Sequence, residues 1–299
     1  MDGILNVYKE KGFTSHDVVA KLRGILKMRR IGHTGTLDPD AEGVLPVCLG
    51  KATKLCELLT DKEKAYRTVM KLGVVTDTQD MSGTVLEEKT VAVTEEDVLL
   101  AIRSFVGEYD QIPPMYSALK VNGKKLYELA RAGQVIEREP RRIRIISIAV
   151  EEINLPFVTM TVACSKGTYI RTLCHDIGQK LGCGASMDQL LRVKSGQFYL
   201  EDSLTLSEIS RRVEENTLDE CLIHPDALFT HYPALTVKAS GEKLLYNGNP
   251  MPKEMLDGIE GAPENGEMVR IYDLKGEFIG IYCFQAERQW YRPKTLFLG

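Results

Sequence analysis

The sequence predicts an α+β protein built from two units, and three observations carry that reading. Helical and strand-like periodicities both occur along the first two thirds of the chain, and the 299 residues exceed the ~100–200 of a usual single domain. After Tyr232-Pro233, short strands and turns replace the mixed pattern. The boundary is therefore set at residue 231, with a small β-rich unit over residues 232–299, near the lower size limit for folding alone. No internal repeat or low-complexity tract points to a solenoid or a disordered tail.

Residues 4–8 read as a short strand. Thr14 or Ser15 can cap a helix whose apolar positions Val18, Val19, Leu22, Ile25 and Leu26 follow helical spacing, with Lys21, Arg23 and Lys27 elsewhere on its surface. Beyond a Gly-rich loop, residues 66–74 alternate like a strand and residues 94–106 form a helix closed by Gly107. Two β-rich runs, 142–153 and 157–165, join near Pro156. Residues 168–181 predict a helix whose buried stripe is Ile170, Leu173, Cys174, Ile177 and Leu181, with Gly182 as its stop and Tyr169 and Arg171 at its opening. A further helical stretch lies near 206–215, and short strands dominate 266–283.

Composition is that of an ordinary soluble protein, 43% apolar and 27% charged, without any apolar run near the ~20 residues of a membrane span. The N-terminus MDGILNVYKEKG lacks a long apolar core, which argues against a secretory signal and for a cytoplasmic location. The seven cysteines form no CxxC pair and meet no histidine at zinc-finger spacing, so neither disulfides nor structural zinc is indicated. A net charge of -4 argues against wholesale coating of nucleic acid, but its distribution is uneven. Residues 21–30 hold five basic residues and no acid; residues 120–144 hold eight against Glu128, Glu137 and Glu139. Such segments can meet a polyanion, or can simply be solvated faces.

The most informative segment runs from Gly32 to Gly43, GHTGTLDPDAEG. Its three glycines permit backbone angles that other residues avoid, and Pro39 biases Asp38 toward an extended conformation, so Asp38 belongs on a sharply shaped loop. A carboxylate so placed can act as nucleophile or base, although Asp-Pro is equally the signature of a helix start. The segment lacks GxxxxGK[ST] and GxGxxG, which disfavours a nucleotide phosphate cradle. Two metal readings are discounted: Asp77 with Asp80 suits a turn held by side-chain hydrogen bonds, and His175-Asp176 lacks the partners a metallohydrolase requires.

The string GHTGTLDPDAEGVLPV at 32–47 resembles the catalytic motif of the TruB family, pseudouridine synthases that modify the T-arm uridine of transfer RNA. Further segments resemble the family in family order: Lys64-Ala65-Tyr66, GVVTDTQD at 73–80, QIPPMYSALK at 111–120 and KGTYIR at 166–171. The likeness extends from residue 3 to about 198. It departs at Val7-Tyr8-Lys9-Glu10, where the family more often reads V-D-K-P, and it is looser toward a C-terminal PUA-like RNA-binding domain.

The resemblance implies a catalytic domain with a central mixed or antiparallel sheet flanked by helices, followed by a small PUA-like β-barrel. It also implies the isomerisation of uridine to pseudouridine, in which the glycosidic bond is cleaved and carbon 5 joined to the same ribose. No redox change and no transferred group are involved, so no cofactor is expected. It assigns Asp38 as the catalytic carboxylate, attacking the sugar or abstracting its proton. A flipped base is held between aromatic or apolar side chains. Here the resemblance nominates Tyr66, which stacks on the uracil and takes its proton, and Tyr169, with Leu190 a substrate contact and His33 filling the space the base leaves. Arg171, at a helix start, is suited to an ion pair with Asp38.

The basic insertion at about 111–144 resembles the family's thumb loop, with Lys124, Lys125, Arg141 and Arg142 expected on the RNA backbone. The expected partner is the T-arm stem-loop of transfer RNA, met by a monomer with no obligate protein partner. Two other readings compete: a noncatalytic tRNA-binding chaperone, which would not need Asp38, and a sugar hydrolase, which would need a second carboxylate that does not stand out.

Overall fold

The computed structural model describes residues 1–60, 62–121 and 123–298. Its centre is a nine-stranded sheet with a main order of Gly3–Lys9, Glu42–Leu49, Ala185–Ser195, Lys64–Leu72, Phe157–Cys164, Arg141–Asn154 and Gly107–Gln111. Ile31–His33 adds to Glu42–Leu49, and Phe198–Tyr199 adds to Ala185–Ser195. Every pairing is antiparallel except that of Glu42–Leu49 with Ala185–Ser195, where Glu42 faces Leu191 and Gly43 faces Arg192. The sheet is thus mixed, as the resemblance implies.

Alternation along Lys64–Leu72 explains how the sheet carries its layers. Tyr66, Thr68, Met70 and Leu72 are buried on one face, where Glu95–Arg103 and Ile170–Leu181 cover them with Val98, Ile102, Leu173, Cys174 and Ile177. At the other end, Ser15–Leu26 and Leu206–Glu214 pack Val18, Leu22 and Ile209 over Leu5, Val7 and Leu45. Thr14 is the cap of Ser15–Leu26: its hydroxyl accepts from the Asp17 amide while the Asp17 carboxylate accepts from the Thr14 amide. Ser15 therefore does something else, since its Oγ accepts the Leu37 amide at 2.9 Å and so anchors the chain just ahead of Asp38.

Three elements differ in extent from their sequence patterns. The helix expected over 94–106 spans Glu95–Arg103; Ser104, Phe105 and Val106 tighten into i→i−3 bonds, and Gly107, at φ +113°, begins a strand instead of closing the helix. The strand expected over 66–74 starts at Lys64 and stops at Leu72, because Gly73 turns at φ +82° and Val74–Thr76 leaves to pair with Val85–Glu88. The helix expected over 168–181 begins at Ile170, with Tyr169 as its extended cap.

Beyond residue 233 a second, six-stranded sheet wraps around its own core of Leu235, Val237, Val269, Ile271, Tyr282 and Tyr291. Ile281 of this sheet and Phe297, just past its last strand, pack with Ile4, Val44, Phe198 and Phe229, which joins the sheet to the edge of the central one. No helix among the described residues is long and apolar enough to cross a membrane.

The parallel pairing of the central sheet sets a steric demand. At Gly43, φ is +103° and a Cβ would lie 2.9 Å from the Arg192 amide nitrogen and closer still to the Arg192 carbonyl oxygen. Gly43→Ala combines a disfavoured backbone angle with a main-chain collision, so it is expected to lower unfolding free energy by about 2–4 kcal/mol in a denaturant titration. A loss below about 1 kcal/mol would show that the strand pair opens freely around a methyl group.

Candidate active site

Asp38 lies on the loop that joins Ile31–His33 to Glu42–Leu49, and the shape of that loop is fixed from several sides. The Ala41 amide donates to the Asp38 carbonyl at 3.1 Å, closing a turn with Pro39 at its second position. Asp38-Pro39 is therefore a turn and not a helix start. Ser15 holds Leu37 on one side. On the other, the buried Lys9 ammonium donates to the carbonyls of Phe13 at 2.5 Å, Pro39 at 3.1 Å and Glu10 at 3.2 Å. Burial lowers the Lys9 pKa to about 8, against the pull of the Asp38 and Glu42 carboxylates.

The Asp38 side chain remains 43% exposed, and its Oδ2 meets Arg171 Nε at 3.1 Å. Arg171 itself is 6% exposed by side chain, and every arm of its guanidinium is engaged. Nη1 donates to the Thr78 carbonyl at 3.1 Å and reaches Asp80 Oδ2 at 3.4 Å; Nη2 donates to the Tyr116 carbonyl at 2.9 Å. Asp80 is fixed in turn, its Oδ1 accepting from the Thr78 hydroxyl at 2.8 Å and from the amide and hydroxyl of Ser82 at 3.0 and 2.5 Å. Burial pushes the Asp38 carboxyl above the ordinary range; the Arg171 charge pulls it back, and Asp80 pushes it further up.

Of the other nominated residues, Tyr66 and Tyr169 lie near enough to feel the Asp38 charge. Tyr66, 8% exposed, stands on the helix-covered face of Lys64–Leu72, and Leu190 lies opposite Thr68 on the neighbouring strand, packed against the same cluster. Burial raises the Tyr66 phenol pKa, while the adjacent Arg192 guanidinium lowers it. Tyr169 is clamped by Gln111, which accepts from its amide at 2.8 Å and donates to its carbonyl at 3.0 Å. His33 is half-buried, with Nδ1 accepting the Gly35 amide at 3.3 Å and its ring edge-on to His16 at 5.5 Å; burial lowers its pKa, which favours the neutral ring.

The four basic residues of the insertion divide. Lys124 and Arg141 are exposed, and the Lys125 ammonium donates to the Tyr127 hydroxyl at 3.1 Å. Arg142 is exposed but bridges Glu108 and Asp110 at 3.3 and 3.1 Å, so part of its charge is already answered. Sequence reasoning missed Lys9, Gln111, Arg192 and the part played by Asp80. The Asp80 turn was expected, but its free carboxylate oxygen facing Arg171 was not; no spacing rule joins residues 38, 80 and 171.

The TruB family pseudouridylate synthase N-terminal domain model matches residues 23–170, and the tRNA pseudouridylate synthase B C-terminal domain model matches residues 171–230. The tRNA pseudouridine synthase B of Lachnoclostridium phytofermentans is 52% identical over 307 residues, covering 100% of both chains. That of Clostridium acetobutylicum is 47% identical, covering 94% of this chain and 95% of its own. Among solved structures, a chain of a Cbf5-Nop10-Gar1 complex superposes with a TM-score of 0.74 at 28% identity, covering 99% of this chain and 85% of its own. A chain of an H/ACA RNP bound to a substrate RNA containing 2′-deoxyuridine superposes with a TM-score of 0.73 at 26% identity, covering 99% and 85%.

The opposed influences on Asp38 make two substitutions act with opposite sign. Arg171→Gln removes the charge that favours the carboxylate, so the Asp38 pKa rises further; Asp80→Asn removes a repelling charge, so it falls. Carboxyl-carbon NMR titration, assigned by the peak lost in Asp38→Asn, measures both. Shifts of the same sign would show that rearrangement of the loop outweighs the direct charge effects.

Proposed function

This chain belongs to the TruB family of pseudouridylate synthases, and on that premise we propose that it converts a T-arm uridine of transfer RNA to pseudouridine, with Asp38 as its catalytic carboxylate. It is an isomerase acting on uridine in transfer RNA. The observation that carries the finer reading is the Asp38 carboxylate, 43% exposed, held at 3.1 Å by a buried and fully engaged arginine. A side chain fixed by its partners meets the sugar of a bound nucleotide without first losing rotational freedom.

The target nucleotide leaves its stack and enters the space bordered by Asp38, Tyr66, Tyr169 and Leu190, while His33 fills the place it left. Asp38 then acts on the ribose. As a nucleophile it bonds to the anomeric carbon as the glycosidic bond breaks; as a base it takes a proton from the sugar as the uracil departs. In either route the freed uracil turns, its carbon 5 bonds to the ribose, and the proton on carbon 5 is removed, a task we assign to the Tyr66 hydroxyl. All atoms of the nucleotide are retained apart from exchangeable protons, so the chemistry demands no cofactor. The unit over 232–299 and the insertion over 111–144 grip the RNA backbone in this reading, and the enzyme acts in the cytoplasm without an obligate protein partner.

Asp38→Asn keeps the size of the side chain and removes its basicity. It is expected to abolish turnover of transfer RNA while leaving affinity within about tenfold, or ~1.4 kcal/mol. Multiple turnover by the purified variant, with deamidation excluded by mass spectrometry, would remove Asp38 from the centre of the mechanism.

Replacing Lys124, Lys125, Arg141 and Arg142 together with Gln is expected to flatten the slope of log affinity against log salt by about 1–2 units, since each phosphate contact contributes ~0.7–0.9. Arg142 should contribute least, because Glu108 and Asp110 already hold it. An unchanged slope would move the RNA grip to other surfaces, such as residues 21–30 or the C-terminal sheet.

A further inference from the structure

Arg192 is among the largest fully buried side chains, 1% exposed, and no carboxylate lies within ion-pair distance of it among the described residues. A buried guanidinium without a counter-ion carries a desolvation cost of several kcal/mol, so its retention calls for a reason beyond packing. Its contacts supply one. Nε donates to the Val44 carbonyl at 2.6 Å and Nη2 to the Gly35 carbonyl at 3.3 Å. Gly35 precedes Asp38 and Val44 follows it, so a single side chain ties both arms of the Asp38 loop. Arg192 also faces Tyr66 directly across the antiparallel pairing of Ala185–Ser195 with Lys64–Leu72, so the two side chains share one face of the sheet, and the guanidinium charge favours the phenolate.

We propose that Arg192 is a positioning residue for Tyr66, orienting the hydroxyl and lending it positive charge so that its oxygen removes the proton from carbon 5 of the turned uracil. The proposal rests on the reading of Tyr66 given above. Guanidinium groups only donate, so a hydroxyl turned toward Arg192 presents its oxygen to it and leaves its own proton free to face the substrate. The fixed charge favours the phenolate against the burial that opposes it. The balance is closed. The phenol gives its proton to water in the cleft, and N1 of the uracil, freed from the ribose, takes one from water. When the carbon 5–H bond breaks, its electron pair restores the ring double bond and its proton regenerates the phenol.

The test is a double-mutant cycle on the single-turnover rate at saturating transfer RNA, followed against pH for wild type, Arg192→Gln, Tyr66→Phe and the double variant. Arg192→Gln is expected to lower the rate about a hundredfold and to move its rise with pH to higher pH. In the Tyr66→Phe background the same change should cost no more than about threefold, because the group it acts through is gone. RNA affinity should stay within about threefold throughout.

Equal losses in both backgrounds, or an unmoved pH profile, would make Arg192 a purely structural tie of the Asp38 loop and overturn the proposal while leaving Tyr66 in its role. Wild-type turnover by Tyr66→Phe would overturn the reading of Tyr66 and this proposal with it. Circular dichroism checks folding. If Arg192→Gln fails to fold, Arg192→Lys, which keeps the charge but loses the planar fork, carries the same cycle, and equal losses in both backgrounds overturn the proposal.

Discussion

The arrangement turns on one buried guanidinium. Arg171 gathers chain from four distant stretches of sequence: the Asp38 loop, the turn of Thr78 and Asp80, the carbonyl of Tyr116, and its own helix start. Each contact would be unremarkable at a surface. Inside the protein, where an unanswered charge is expensive, the donors must all find acceptors, and so the position of each segment depends on the others. A lysine would supply the same charge but not the planar fork that reaches two carboxylates and two carbonyls in different directions. The second carboxylate also has a purpose here. Two negative partners offset the buried cation and leave Asp38 one among several acceptors, so its outer face remains open to solvent.

Electrostatics then sets how available that carboxylate is. Burial raises the Asp38 pKa and Arg171 lowers it, while Lys9 acts from the opposite side of the turn in the same direction as Arg171. Lys9 is itself held to about 8 by burial, and it does its structural work through three main-chain carbonyls. The loop is thus positioned by cations bonded mainly to backbone, a design in which the loop's shape and the charge environment of its single reactive side chain cannot be changed independently.

Much of the fold was legible because the signals were local. The capping residue of the first helix, the alternation of Lys64–Leu72 and the apolar stripe of Ile170–Leu181 all follow from spacing within a few residues. Errors arose at the ends of elements, where glycine angles decide: Gly73 ends a strand early and Gly107 opens one. The site was legible in part. Asp38 and Arg171 stood in segments that resemble a family, and a helix start suits an arginine facing a carboxylate. Asp80 was read as a turn residue, which it is, but a carboxylate has two oxygens and the second one faces Arg171. Lys9 lay in the stretch that departs from the family pattern, and nothing local marks a lysine as buried. Arg192 gave no signal, since its meaning comes from a strand more than a hundred residues away.

That last residue shows how topology places chemistry. The sheet contains one parallel pairing in its main order, and it occurs where Gly43 meets the main chain of Arg192. Because the backbones approach so closely there, the first residues after the Asp38 loop are held against the strand that pairs with Tyr66. Alternation then does the rest. With Arg192 and Leu190 two residues apart, both side chains fall on the face shared with Tyr66 and Thr68, and the space between them and Asp38 is bounded without any further loop. The glycine is needed for the approach, the approach brings the loop to the strand, and the strand's period of two turns the right side chains inward. The distance from Asp38 to its neighbours is therefore fixed by the pairing of three strands, which is a stiffer reference than any surface loop provides.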